Sequence, residues 1–306
     1  MASPFATFLS AIGHRVVTTS SGEWFDAGPR FFLSLPFHRV ITPDAGELRQ
    51  VMRDGRGFGA RFVAPPNGPG RLSYQIVCDE RPYDVERLSP NTRSKVRRGL
   101  RRCRVERVDC ALIARDGRRA HLDTMQRQDR APSDGAAARQ HWERYWAAAA
   151  QAPEMEAWGA FVDDQLAAYL LTVQLEDRCE FLLARSCNAY LGQYPNNALI
   201  YTVARATLER PTVAEITFGL ESLEPVDALD QFKFAMGFRH RPLRQRIVVR
   251  PGLAGLLRAP TVGRVVRWYA ERPGVHPGWR KLAGIIDFMR EDSTPLPWRS
   301  DTQPAH

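Results

Sequence analysis

Lysine is nearly absent from this 306-residue chain: three, at Lys95, Lys233 and Lys281, stand against 40 arginines. A chain that uses arginine as its default cation and keeps a lysine keeps a compact, mobile ammonium in place of a planar guanidinium. Cysteine is scarce as well. Cys78, Cys103, Cys110, Cys179 and Cys187 show neither C-x-x-C nor Cys/His ligand spacing, and the seven histidines form no H-x-H or H-E-x-x-H pair. No metal site is expected, and the thiols read as reduced and structural. No apolar run approaches the ~18 residues that a membrane-spanning helix requires. The opening "MASPFATFLSAIGHRVV" has an apolar patch with no basic segment ahead of it. Neither a transmembrane segment nor a signal peptide is expected, and the expected location is cytoplasmic.

What the chain does have is positive charge, +9 overall. Its densest source is "RSKVRRGLRRCR", residues 93–104, with seven cations and no acid. Arg93, Lys95, Arg97, Arg98, Arg101 and Arg102 could contact the phosphates of a tRNA, lipid headgroups or an anionic cofactor, or form a solvated helix face.

Periodicity and turn chemistry divide the rest. Residues 1–20 read as a loosely held terminus. "RFFLSLP", "GFGARFVAP" and "RLSYQIVCD" read as strands, and "DAGELRQVMRDG" as a helix stopped at Gly55. "LSPNTRSKVRRGLRRC" opens with Ser89 as N-cap and Pro90 at the first helical position. Two helices are expected in "RDGRRAHLDTMQRQD" and "GAAARQHWERYWAAAAQ". "EAWGAFVDDQLAAYLLTVQLEDRCEFLLARSCN" reads as three antiparallel strands turned at Asp163-Asp164 and Glu176-Asp177. A helix from Pro195, the strand "VAEITFGL", a short helix ended by Gly237 and a last strand follow. That order predicts an α/β fold with a mixed sheet. Residues 251–290 hold amphipathic pieces that either pack on the sheet or touch a membrane surface or partner. The final dozen residues, Pro-rich and polar, read as disordered.

The segments "WGAFVDDQLAAYLLTVQLEDRCEFLLARSCNAYLGQYPNNALIYTVARA", "EITFGLES" and "FKFAMGF", in this order, resemble the C-terminal half of the GNAT N-acyltransferase fold, in its Fem-type, tandem-domain branch. The helix LSPNTRSKVRRGLRR resembles the segment that closes the first domain in that branch. The resemblance implies a GNAT-like N-terminal domain over 1–110, an acyltransferase domain over 111–250 and a helical extension over 251–306. It implies transfer of an acyl group from acetyl-CoA or another acyl-CoA to an amine, with an aminoacyl-tRNA donor or a non-catalytic binding module as the other readings. Against the family's Gly-rich, basic phosphate loop, "YLGQYPNNAL" keeps only Gly192.

The chemistry narrows the candidates. A thioester donor needs its phosphates held, and the first N–H groups of a helix beginning at Pro195 are an anion site by construction. Asn196, Asn197, Gly192, Tyr194 and Ser186 are the candidate donor-binding residues. Lys233 occupies the position where GNATs often carry a tyrosine that protonates the departing thiolate. Between Phe232 and Phe234 it would be partly desolvated and could give a proton or hold a phosphate. Glu221, past the end of "EITFGLES", is the candidate proton acceptor. Tyr190 and Asp227 are candidates for the acceptor pocket.

Overall fold

A computed structural model describes residues 2–128, 130, 134–224, 227–272, 275, 277–292 and 294–297. The described chain forms two compact α/β units. Neither is a contiguous stretch. One contains residues 1–75, 220–225 and 241–306, the other residues 76–219 and 226–240. The contiguous ranges expected from the sequence therefore do not coincide with the units. The basic helix at the end of the expected first domain belongs to the second unit, and the C-terminal helices belong to the first.

In chain order the elements are α1 (Pro4–Ala11), β1 (Val16–Thr19), β2 (Gly22–Asp26), β3 (Phe31–Leu35), α2 (Ala45–Asp54), β4 (Gly59–Ala64) and β5 (Arg71–Cys78). There follow α3 (Pro90–Arg102), β6 (Arg104–Val108), α4 (Cys110–Asp116), α5 (Arg118–Arg127), α6 (Ala136–Ala150), β7 (Met155–Val162), β8 (Gln165–Leu175) and β9 (Arg178–Ser186). The chain continues through α7 (Pro195–Leu208), β10 (Glu215–Leu220), α8 (Asp227–Ala235), β11 (Arg239–Val249), α9 (Leu253–Arg258), α10 (Pro260–Ala270) and α11 (Pro277–Glu291).

In the first unit β1-β2-β3 run antiparallel, β3 pairs parallel with β4, and β4 pairs antiparallel with β11. Residues 1–20 are not loose. Ser3 caps α1, whose Phe5, Ala6, Phe8 and Leu9 are buried, and β1 is hydrogen-bonded to β2. A short apolar stretch earns order here through nonlocal burial, which its own pattern does not show. The C-terminal helices pack: Ala254, Ile285, Phe288 and Met289 share a core with Trp24, Phe32, Leu48 and Val248. The helical C-terminal extension is thus present, while most of the expected disordered tail, 298–306, lies outside the described residues.

The second unit follows the sequence closely. β7, β8 and β9 form the antiparallel meander, and Asp163, Asp164 and Glu176 take the positive φ that tight hairpin turns demand. β6 adds antiparallel to β7, and β10 pairs parallel with β9. Ser89 caps α3, with Pro90 in its first turn as the sequence predicted. The helix expected in "RDGRRAHLDTMQRQD" begins after Gly117 as α5, and a separate short helix, α4, ends just before that glycine. A Cβ at Gly117 would lie 2.7 Å from Ile113 O, so the break falls where only glycine fits.

Candidate active site

The site is built where two strands of the second unit stop pairing. β9 and β10 pair only through Arg178–Glu215, Cys179–Ile216 and Glu180–Thr217, although β9 continues to Ser186 and β10 to Leu220. Just past the last pair, Gly219 adopts φ +82°, a conformation that an L side chain resists, and a Cβ there would lie 3.9 Å from Glu180 Oε2. The chain thus opens beside a buried carboxyl group.

Glu180 is 2% exposed, and its Oε1 has no hydrogen-bond partner. Burial raises its pKa to about 8; Arg178 pulls it down in part and Glu215 pushes it up. A carboxyl held near neutrality, with an unmade hydrogen bond and no side chain across from it at Gly219, has the properties of a general base. The sequence reading did not single it out. A glutamate inside the apolar run "RCEFLLA" was the signal that could have found it, because a strand buried on both faces rarely carries an acid.

Thr217 faces Glu180, so the next residue, Phe218, points to the other face of the strand. There Phe218 packs against Phe181 and Phe238, with ring centroids at 5.3 and 4.7 Å. Lys233 Nζ lies 5.3 Å from the Phe218 ring and 2.7 Å from Asp230 Oδ1. The Lys233 side chain is only 12% exposed. Its ammonium is therefore held in place by an aromatic face and one carboxylate, not carried loosely into water. Phe234 stacks edge-on against His240, and the turn closes with Met236 N and Phe238 N donating to Lys233 O.

The start of α7 adjoins this turn. Tyr194 sits at its N-cap in the left-handed region (φ 59°, ψ 42°) and no side chain caps the helix. Asn197 Nδ2 reaches Met236 Sδ at 3.5 Å, tying α7 to the Lys233 turn, and Tyr83 Oη donates to Met236 O. Asn196 Nδ2 donates to Ser186 Oγ at 2.9 Å. Ser186 is itself buried. Its hydroxyl also accepts from Arg127 Nη2 at 2.9 Å, and its backbone N–H donates to Thr124 Oγ1 at 3.0 Å. Ser186 thus braces β9 against α5 and α7. Arg127 and Thr124, which complete that brace, were not singled out in the sequence because a helix-borne arginine carries no positional signal.

Helix α3 runs against the same loop. A Cβ at Gly99 would come within 2.7 Å of Tyr194 O, so glycine sets the close approach. Arg102 Nη1 donates to Gly192 O at 3.3 Å, and the Arg98 guanidinium lies 5.9 Å from the Tyr194 ring centre. Two of the basic cluster are thereby brought beside the uncapped helix start. Arg93 and Arg97 instead pair with Glu86. Lys95 is half-buried and Arg101 exposed. Gly192 is exposed, and a Cβ there would meet nothing within 4 Å. Uncapped N–H groups, two amides and two guanidiniums fit a phosphate-bearing donor.

The remaining sequence candidates separate. Tyr190 is half-buried in a 3-10 turn over Asn188–Gln193, ahead of α7. Asp227 opens α8, and its side chain lies outside the described residues. Glu221 belongs to the first unit, where Ser73 donates to its carboxylate at 2.5 Å and Arg71 pairs with it. Arg61 donates to its backbone oxygen at 2.7 Å. Its carboxylate is engaged by Arg71 and Ser73, and Glu221 and Lys233 belong to different units.

Residues 90–232, from the start of α3 into α8, match the family described as acetyltransferase (GNAT) domain. No curated protein matches the chain. Among solved structures, FemX aligns with a TM-score of 0.56 at 10% identity, over 81% of this chain and 91% of that one. L-PGS from Bacillus licheniformis aligns with a TM-score of 0.51 at 11% identity, over 87% and 92%. The C-terminal domain of a putative lysylphosphatidylglycerol synthetase from Agrobacterium fabrum aligns at 0.50 and 11% identity, over 81% and 88%. At such identities the likeness is one of fold.

Proposed function

We propose, for a chain that carries a GNAT acetyltransferase domain over residues 90–232, that it is an N-acyltransferase moving an acyl group from an acyl-CoA to an amine. The observation that carries this reading is Glu180: a buried carboxyl of pKa about 8 at the place where β9 and β10 part, with the Lys233 turn on the other face of β10.

When bound, an acyl-CoA supplies an acyl thioester. Its phosphates would be held by the N-terminus of α7, Asn196, Asn197, Arg98 and Arg102. Glu180 takes the proton of the attacking amine as the C–N bond forms. As the C–S bond breaks, the ammonium of Lys233, oriented by Asp230, stabilises the charge on the departing thiolate and can return a proton to it. Calorimetric binding of acetyl-CoA, with thiol release in the presence of an amine pool, tests the reading. A protein that binds no acyl-CoA and releases no thiol refutes it. Full activity in cells after Lys233→Ala would favour a non-catalytic module.

A second donor reading rests on α3, whose Arg98 and Arg102 converge on the helix start while Arg101 stays exposed. An aminoacyl-tRNA would offer many phosphates to that face, and its binding would weaken steeply with salt. RNA carried through native purification distinguishes the two donors.

No helix among the described residues is long and apolar enough to cross a membrane. Peripheral contact through residues 251–290 is supported by exposed Val265, Trp268, Tyr269 and Trp279, with Arg272 stacked 3.6 Å from the Trp268 ring centre. Cosedimentation with anionic vesicles, lost in Trp268→Ala, tests that contact.

A further inference from the structure

The β8–β9 pair also carries polar groups that the mechanism above does not use, on the face that Glu180 shares through its partner Val173. Tyr169 on β8 stands directly opposite Arg185 on β9. Trp146 packs edge-on against Tyr169 at 5.5 Å, Trp142 bridges the two, and His121 lies 5.3 Å from Trp142. Tyr169 is 0% exposed and Trp146 1% exposed. Four polar atoms in this cluster have no hydrogen-bond partner: Tyr169 Oη, Trp146 Nε1, Arg185 Nε and His121 Nδ1.

The charge is as unbalanced as the hydrogen bonding. Arg185 donates to its own neighbour's carbonyl, Ala184 O, at 2.8 Å, and no carboxylate among the described residues pairs with it. Burial depresses its pKa, and the guanidiniums of Arg130 and Arg127 add to the effect. The acids nearby are committed elsewhere. Asp134 takes Arg118 and Arg139, and Asp123 accepts from Asn188 N. His121, pushed down to about 4 by burial and by Arg185, is neutral and supplies no countercharge. A half-buried guanidinium whose Nε is buried without a partner, beside a buried indole N–H and a buried phenol O–H that lack acceptors, is costly unless something accepts from all three. The cluster is rich in donors and poor in acceptors.

We propose that Arg185, Tyr169 and Trp146 bind an anionic oxyacid group, a carboxylate or a phosphate, on the acceptor amine. The substrate class is then an amine that also bears such a group, not a simple alkylamine. That the ligand is the acceptor rests on the acyl-transfer reading; that the cluster binds an anion does not.

Two readouts that need no turnover test it. The first is calorimetric titration with glycine, L-glutamate, O-phosphoethanolamine and ethylamine; glycine and glutamate probe the carboxylate, and O-phosphoethanolamine the phosphate. The second is the melting temperature of Arg185→Met and Tyr169→Phe without ligand. The expected result is that at least one anionic amine binds at concentrations up to about 10 mM while ethylamine does not. Binding should fall about tenfold or more in Arg185→Met and less in Tyr169→Phe. Arg185→Met should melt no lower than the wild type, because it removes a half-buried charge that no carboxylate balances. Failure of every anionic amine to bind, equal binding by Arg185→Met, or a melting temperature several degrees lower in that variant would each overturn the proposal. Anion binding without acyl transfer would refute the enzymatic reading and leave the anion-binding cluster standing. Transfer to ethylamine with no preference for anionic amines would do the reverse.

Discussion

Two glutamates, one in each compact unit, show how differently the same side chain can be placed. Glu221 in the first unit lies among Arg71, Ser73 and Arg61; Gln245 extends the network to Ser73 at 2.6 Å and to Arg61 at 2.6 Å. There the buried charge is compensated, and even Arg61, which burial brings down to about 10, has the Glu221 carboxylate nearby. Glu180 in the second unit lies deeper, 2% exposed where the Glu221 side chain is 21% exposed, and keeps an unpartnered oxygen and a pKa of about 8. Closed networks hold a fold together, whereas groups left incompletely satisfied are where chemistry is to be expected.

That contrast can be broken by mutation. The largest expected effect is from Glu180→Gln, which should lower kcat/KM by ~10²–10⁴ while leaving the melting temperature at pH 8 no lower than that of the wild type. A variant with full activity would remove Glu180 from the mechanism. Glu221→Ala should do the opposite. It leaves Arg71 with Glu291 alone and takes the nearby carboxylate from buried Arg61, and should cost ~2–4 kcal/mol of stability in denaturant titration, with kcat/KM at permissive temperature nearly unchanged.

The pH dependence sharpens the same comparison. Glu180 is raised in the folded protein, so below the ordinary carboxylate pKa of about 4.3 its burial carries no ionic penalty. As pH climbs from there to about 8 the unfolded chain gives up its proton first, and stability is lost across that window. Glu180→Gln should abolish this part of the decline, seen as a melting-temperature gain over the wild type that grows from pH 5 to pH 8. The catalytic rate should run the other way, rising with pH until it levels near 8. A flat rate profile over pH 5–9 would exclude Glu180 as the base. The smallest effect belongs to α3: Arg98→Glu with Arg102→Glu should raise the KM for acyl-CoA by ~3–10-fold, more at low salt, with kcat little changed. An unaltered KM would take these arginines out of the donor site.

Much of the second unit was legible beforehand because its signals are local. The Asp163-Asp164 and Glu176-Asp177 turns, Ser89 and Pro90 at α3, and Gly237 with φ +85° after α8 each act within a few residues of themselves. Lys233 was legible as a compositional exception, and its low exposure and aromatic neighbour agree with that reading. Glu221 was chosen because it follows a strand end. Position along the chain cannot reveal that Arg71, 150 residues away, takes its carboxylate. Ser186 stood out as a strand terminus, yet its hydroxyl is occupied by Arg127 and Asn196 from two different helices.

The sequence by itself determined the succession of strands and helices, the hairpin turns, the place of the basic helix and the singular lysine, because periodicity, capping and turn strain act over a few residues. Only the tertiary structure decided that residues 241–306 join the N-terminal segment in one unit, that Glu180 loses its solvent and Glu221 does not lack partners, and that Arg185 is half-buried without an acid. Desolvation and charge pairing are set by atoms brought together from distant parts of the chain, and no local pattern encodes which atoms those will be.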